Sequence, residues 1–394
     1  MTRFLHTADW QIGKPFGSVE DPAKREALRR QRIDTVRSLG PLIQREQLDF
    51  VVVCGDLFDS ATPDKAAVSA LCSAVGELAV PVYAIPGNHD HGGPGCIWRQ
   101  EFFLREQEQL APNFHMLLES EPVLLEKAVL LPCPLFRRHE STDPTAWLRS
   151  EPEGLPGGLP RIVLAHGSTQ GFSSSGEADQ ESAVNRLDLD QLPAASYDYI
   201  ALGDWHGMKQ VAASGWFCGT PEQDRFAKGD DNLPGHVLVV EIPARGSPPA
   251  VTPVAVGRIG WHGIEPIGIT GDDDLETVKT QVAALIGNRT GQDLLKLDLR
   301  GTLSFEGAAH LGEWVESLQA RLLRLKIDRE IKIEPTPDEL AALTGRQDPL
   351  IAQVARELRD SLDSDPLARD ALRELHLEVV KEEGGGWGGM NVDE

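Results

Sequence analysis

Five short polar clusters hold the side chains of this chain most able to do chemistry. They are Asp9-x-Gln11, Gly55-Asp56-x-x-Asp59, Gly87-Asn88-His89-Asp90, His166-Gly167 and Gly203-Asp204-x-His206-Gly207. Carboxylates, amide oxygens and imidazoles are donors for a divalent cation, and oxygen and nitrogen sets of this kind suit Mn, Fe or Zn. No cysteine falls in any cluster, which argues against a structural thiolate zinc site. Two divalent ions about 3.5–4 Å apart can activate a water, orient a phosphate and stabilise the charge that develops in in-line displacement. In such a centre one carboxylate bridges the ions, and Asp, His and Asn fill the remaining positions. A lone Gly-Asp is a turn more often than a ligand. Five clusters, each behind an apolar segment, are not explained as turns.

The segments in front of the clusters read as strands: Phe4-Leu5, FVVVC from Phe50, VYAI from Val82, IVLA from Ile162 and YIAL from Tyr199. Helices are expected between them, a long Arg-rich one over residues 22–47 and another over 64–78. Alternating strands and helices indicate an α/β sheet, and continuous apolar strands indicate burial on both faces. Open α/β sheets bind ligands at the carboxyl ends of their strands, so clusters far apart in sequence converge on one site. Residues 151–160 (EPEGLPGGLP) read as a surface loop, and the Ser-rich residues 168–190 as a long loop of the site. HVLVVEI and AVTPVAV, within 235–256, look like the closing edge of the sheet. Beyond residue 263 a helix over 274–286, a strand over 294–299, a helix with Leu311, Trp314, Leu318 and Leu322 on one face, and a strand over 325–333 form a βαβ-like second domain. From Pro337 the chain is helical and acidic, with stripes Ile351, Val354, Leu358, Leu362 and Leu372, Leu375, Val379. These stripes pack on their own domain or dock a partner. The tail GGGWGGMNVDE, residues 384–394, reads as flexible.

The chain has 394 residues, 41% hydrophobic and 25% charged, an ordinary soluble composition. No apolar run approaches the roughly 20 residues of a bilayer span, and no secretory signal is visible, so a cytoplasmic protein without membrane contact is expected. The five cysteines are scattered and read as buried reduced thiols. A net charge of -23 counts against a surface that grips nucleic acid everywhere, but not against local contact through metal ions, a basic patch or a basic partner. Lys24, Arg25, Arg29, Arg30, Arg32 and Arg37 form the main basic group, read as a solvated helix face or as phosphate contacts. His6 reads as core or as support for the site.

The ordered set D-x-H, G-D-x-x-D, G-N-H-D, an isolated H and G-H-x-H is that of the calcineurin-like metallophosphoesterases, which this chain resembles. Within them it is similar to the nuclease subunit of SbcCD-type DNA repair complexes, related to the eukaryotic meiotic-recombination nuclease. HTADWQIGKPFG, VVVCGDLFDSATP, IPGNHD and GTPEQDRF carry that likeness, which is strong over about residues 1–240. The resemblance implies an α/β fold: a metallophosphoesterase β-sandwich flanked by helices (1–262), a small α+β capping domain (263–336) and a C-terminal helical segment that docks a partner (337–383). It implies one ion on Asp9, Gln11, Asp56 and His206 and another on Asp56, Asn88, His166 and Asp204, with Asp56 bridging. His89 would sit over the scissile phosphate, and Asp90 would orient it. Asp59 would support the site structurally. His91, Arg137 and Arg225 are candidates for substrate contact.

Two positions depart from the pattern. Gln11 and Asp204 stand where that nuclease family usually has His, which makes the set richer in oxygen and adds one negative charge. Two Mn²⁺ ions are the expected cofactors, ahead of Mg²⁺, Fe²⁺ or Zn²⁺. The implied activity is a DNA exo- or endonuclease working with an SMC-like ATPase, the chain itself being a candidate homodimer. The alternatives are a nucleotide or small-molecule phosphodiesterase, since D-x-Q resembles manganese-dependent nucleotide-diphosphate hydrolases, and a catalytically weak subunit that binds a partner.

Overall fold

Short Val-, Ile- and Leu-rich segments bury both faces only inside stacked layers, and the computed structural model of this chain stacks them that way. It describes residues 1–169, 184–226, 232–365 and 367–384. Most of the Ser-rich loop and residues 385–394 of the tail lie outside the described residues. Two compact units follow one another, Met1–Trp261 and His262–Glu394.

The first unit runs β1 (Thr2–Thr7), α1 (Pro22–Arg37), α2 (Leu39–Glu46), β2 (Phe50–Cys54), α3 (Lys65–Gly76), β3 (Val82–Ile85), α4 (Glu101–Leu110) and β4 (Phe114–Met116). It continues with β5 (Val123–Leu124), β6 (Val129–Cys133), β7 (Arg161–His166), β8 (Tyr199–Gly203), β9 (Lys209–Gln210), β10 (Gly215–Phe217), β11 (His236–Ile242) and β12 (Ala250–Ala255). Two six-stranded sheets result, in the orders β12-β11-β1-β2-β3-β4 and β5-β6-β7-β8-β10-β9. Phe4, Phe50, Val52 and Ile85 of the first sheet meet Leu130, Ile162, Leu164 and Tyr199 of the second in one buried core. Alternate residues of the first sheet, Leu5, Val51, Val53 and Val82, pack outward against Val36, Leu71, Val75 and Phe103 of the helices. The outer face of the second sheet is covered by Leu148, Leu187, Leu192 and Tyr197 from its connecting segments. Each such apolar side chain contributes about 1.5–3 kcal/mol by leaving water. AVTPVAV does close an edge, as β12, but HVLVVEI lies inside, between β12 and β1.

The Arg-rich helix is two helices. Asp21 caps α1, its carboxylate accepting from the N–H groups of Ala23 and Lys24, with Pro22 at the first position. The break falls at Ser38, because Pro41 has no N–H to continue the ladder and Gly40 weakens it further. A second difference concerns Arg32, which lies not on a solvated face but buried at 1% exposure. All five cysteines are free and buried.

The second unit holds β13 (Gly260–Gly263, which begins in the first), β14 (Ile267–Ile269), α5 (Asp272–Ile286), β15 (Asp293–Leu303), α6 (Phe305–Arg321) and β16 (Arg324–Ile333). β14, β15 and β16 are parallel neighbours, and Val278, Val282, Leu311, Val315 and Leu318 of the two helices cover Leu295, Leu297 and Leu299 of the central strand. Among the described residues three helices end the unit: α7 (Pro337–Thr344), α8 (Pro349–Asp360) and α9 (Ala368–Gly384). A Thr336–Glu339 capping box starts α7. The buried side of α8 is set by Ala352 and Ala355, flanked by Ile351 and Leu358. Val354 is exposed, so the stripe is rotated from its expected position. Among the described residues no helix is long and apolar enough to cross a membrane.

Candidate metal centre

The strand ends bring the polar clusters together. β1, β2 and β3 are parallel to one another, as are β7 and β8, so within each sheet the carboxyl ends share one edge. Asp9 and Asp56 follow β1 and β2 by two residues, His166 is the last residue of β7, and Asp204 follows β8 directly. The first two loops are zipped together by Asp9 N–H to Gly55 O at 3.0 Å, Gln11 N–H to Asp56 O at 2.8 Å and Ile12 N–H to Leu57 O at 2.8 Å.

The backbone there is strained. Asp9 (φ 54°), Gln11 (φ 44°), Asp56 (φ 55°) and Asp204 (φ 102°) all have positive φ, a conformation that costs a non-glycine residue on the order of 1–3 kcal/mol. The loops also approach too closely for side chains at several glycines, Gly87 and Gly203 among them. A Cβ on Gly87 would stand 2.2 Å from Asp56 Oδ1, and one on Gly203 would stand 1.9 Å from the Cys54 carbonyl oxygen.

Asp9, Asp56 and His166 are buried and each offers a ligand atom, all within 4.8 Å of one another. His166 Nε2 lies 3.6 Å from Asp56 Oδ1 and 3.8 Å from Asp204 Oδ1. Its Nδ1 meets the Cys54 carbonyl at 2.8 Å. A carbonyl only accepts, so Nδ1 carries the proton and the Nε2 lone pair faces the acids, the orientation a metal-binding imidazole needs. Among the described residues both His166 Nε2 and Asn88 Oδ1 are buried without a hydrogen-bond partner, a costly state that a cation relieves. Asp204 N–H donates to the Asp9 carboxylate at 3.2 Å.

The electrostatics agree. Burial, with the neighbouring Asp56 and Asp204, holds Asp9 well above the usual carboxylate range. Burial lifts Asp56 to about 6 and raises Asp204, while it lowers His166 and keeps that ring neutral. Among the described residues none of the three acids pairs with a Lys or Arg. Crowded carboxylates, orphaned donor atoms and neutral imidazole fit a divalent cation.

The other expected site residues fall nearby. His89 N–H donates to Asp56 Oδ1 at 2.9 Å, and its Nδ1 meets the Asp59 carbonyl at 2.8 Å. Asp90 does not orient it. Both Asp90 oxygens are taken by backbone N–H groups, Gly87 at 2.7 Å and Phe58 at 3.1 Å, and burial pushes the carboxyl up to about 7. Asp90 buttresses the turn, and the backbone of Asp59 orients the imidazole. His206 Nδ1 pairs with Asp224 Oδ1 at 3.0 Å, while its Nε2 faces Gln11 Nε2 at 3.2 Å. Arg225 reaches His206 Nδ1 at 2.9 Å and Asp224 at 3.3 Å. His91 is half-buried, and its Nδ1 has no partner among the described residues. The Gly92 N–H bond to the Leu135 carbonyl sets the exposed Arg137 beside that turn. His6 is a neutral core residue between Tyr199 and Leu202, its pKa lowered by burial to about 3.

Three supporting residues lay beyond sequence reasoning. Arg32 donates to the carbonyls of Trp10, Glu222 and Asp9 at 2.6, 2.9 and 3.0 Å. Glu222 accepts from Arg258 and Ile259 N–H. Asp224 is buried; burial alone would raise it, but His206, Lys14 and Arg32 hold it well below the ordinary range. Its only signal was its place in GTPEQDRF, two residues after Glu222.

A pH effect follows. The folded pKa of Asp56, about 6, exceeds the ordinary aspartate value of 3.8, so the metal-free fold gains stability from the bound proton below about pH 4 and loses it as pH rises through 6. Metal-free Asp56→Asn protein is therefore expected to melt above metal-free wild type at pH 7.5, by up to about 3 kcal/mol, with the gap closing near pH 4. A gap independent of pH would contradict this.

A solved crystal structure, 13% identical, aligns with 64% of this chain and 98% of its own at a TM-score of 0.40. The family model for calcineurin-like phosphoesterases matches residues 2–208, more than half of the chain, and the protein belongs to that family of metal-dependent phosphoester hydrolases.

Proposed function

We propose that this chain is a phosphodiesterase acting on DNA, the nuclease subunit of a complex with an SMC-type ATPase. The observation that carries the chemistry is the buried Asp9–Asp56–His166 cluster with His89 fastened to its edge through Asp56. The resemblance of HTADWQIGKPFG, VVVCGDLFDSATP and GTPEQDRF to SbcCD-type nucleases supports the substrate and the ATPase partner. Asp56, Asn88, His166 and Asp204 would hold a cation on one side, and Asp9, Asp56 and His206 on the other. Bound divalent cations supply Lewis acidity toward the phosphoryl group and lower the pKa of water. The chain's own residues do the rest. His89, with Nδ1–H fixed by the Asp59 carbonyl, presents Nε2 to hold charge or give a proton to the leaving oxygen. His91, Arg137 and Arg225 line the approach for phosphates.

A net charge of -23 favours a second reading, a nucleotide or small-molecule phosphodiesterase. Hydrolysis of single- and double-stranded DNA, nucleotides and a generic phosphodiester with Mn²⁺, with and without a candidate ATPase, separates the two. DNA cleavage stimulated by the ATPase is the expected result. Rapid nucleotide hydrolysis with intact DNA would overturn the first reading.

A further inference from the structure

The two halves of the centre are unequal in a way the ligand types alone do not reveal. Around Asp56, the donor atoms His166 Nε2 and Asn88 Oδ1 are buried and have no hydrogen-bond partner among the described residues. Around Gln11 the donor atoms are already spent. Lys14 Nζ donates to Gln11 Oε1 at 2.7 Å. An ammonium has no acceptor, so the amide is pinned with its oxygen toward Lys14 and its NH₂ turned away. That NH₂ lies 3.2 Å from His206 Nε2. The Asp224 carboxylate beside Nδ1 only accepts, and the Gln11 NH₂ and Arg225 Nη2 beside Nε2 only donate. The proton therefore sits on Nδ1 and the lone pair on Nε2, which Arg225 Nη2 approaches at 3.2 Å. The 2.9 Å approach of Arg225 to Nδ1 is a charge contact of the Asp224–Arg225 pair and not a hydrogen bond. Lys14 is itself held, by Asp224 Oδ2 at 3.0 Å and Asp59 Oδ1 at 3.3 Å.

We propose that Lys14 is a positioning residue that keeps the Gln11 oxygen out of the metal shell, so that the chain binds one divalent cation tightly beside Asp56, Asn88, His166 and Asp204 and a second only weakly beside Asp9 and His206. This rests on reading the site as a metal centre. Gln11 is then an amide donor that holds the His206 ring, rather than the ligand its place in D-x-Q suggested. Filling the second position requires the amide to turn over and the lysine to give up a partner.

Titration of metal-stripped protein with Mn²⁺, followed by native mass spectrometry and electron paramagnetic resonance, tests this without any activity readout. Wild type is expected to bind one ion at least about tenfold more tightly than the next, with an isolated six-line signal at one equivalent. Because the Gln11 amide also hydrogen-bonds Asp56, Gln11→Leu should weaken the first Kd only a few-fold, short of the about 10–100-fold that loss of a residue in or around a metal shell commonly costs. Lys14→Met should bring the second Kd about tenfold closer to the first and produce a spin-coupled pair at low Mn²⁺. Lys14→Arg, still a pure donor, should behave as wild type. Using the ratio of the two constants cancels a uniform change in charge, and Gln11→Leu gives an independent arm if Lys14→Met unfolds. Two equal ions in wild type, a first Kd weakened tenfold in Gln11→Leu, or an unchanged ratio in Lys14→Met would each overturn the inference while leaving the metal centre standing. Absence of any bound ion would overturn both.

Discussion

Asp56→Asn is expected to lower turnover of a generic phosphodiester by about 10³-fold or more, some 4 kcal/mol of barrier, and to abolish tight metal binding. The reason is positional. Asp56 is the acid nearest the free nitrogen of His166, 3.6 Å away, its Oδ1 accepts the His89 N–H, and it is one of the three residues of the buried cluster. Asn keeps the shape and removes the charge, so the effect on activity is electrostatic rather than a collapse of the loop. The same substitution should raise the melting point of the metal-free protein above pH 6, because burial opposes the charge that Asn lacks. Gain of stability with loss of activity distinguishes a ligand from a structural acid. Steady-state kinetics with saturating Mn²⁺ measures the first effect and thermal unfolding the second. Activity within tenfold of wild type would remove Asp56 from the centre.

Arg32→Met is expected to destabilise the fold by about 3–5 kcal/mol, the cost of breaking a buried charged network. Methionine fills much of the volume but leaves the Trp10 carbonyl without its donor and the Asp9 and Glu222 carbonyls to share the single Thr220 hydroxyl, and a buried acceptor without a partner costs about 1–3 kcal/mol. Arg32→Lys should recover little, since one ammonium does not span three carbonyls. The damage should reach the site, because Arg32 fixes the backbone of Asp9 at its left-handed φ. Urea unfolding of the metal-free variant and its Mn²⁺ affinity are the measurements. A loss under about 1 kcal/mol would show that the arginine is incidental.

These two residues mark what the sequence makes legible. Asp56 could be found because a carboxylate behind FVVVC has one geometric meaning once the other strand ends carry ligand types too. The same logic located Asp9, His166 and Asp204. Arg32 could not, since its spacing matches that of the half-buried Arg25 and Arg29 of the same helix, and the acceptors that bury it are backbone carbonyls of two distant loops. The helix break at Ser38 was readable from Gly40-Pro41, but the basic pattern across it suggested continuity. Asp90 misled for a related reason. A carboxylate beside a histidine suggests an orienting pair, whereas backbone N–H groups claim Asp90 and a backbone carbonyl claims His89, and backbone partners leave no trace in residue types. Gln11 reads as an oxygen donor until Lys14, three residues on, fixes which way the amide faces.

The central claim is that the crowded acids of this centre exist to hold a divalent cation for phosphoester hydrolysis. The most direct measurement is hydrolysis of bis(p-nitrophenyl) phosphate by metal-stripped protein before and after adding Mn²⁺, with Asp56→Asn alongside. The expected result is no turnover without metal, robust turnover with it, and none in the variant under either condition. Turnover that survives complete metal removal, or that Asp56→Asn shares, would contradict the account.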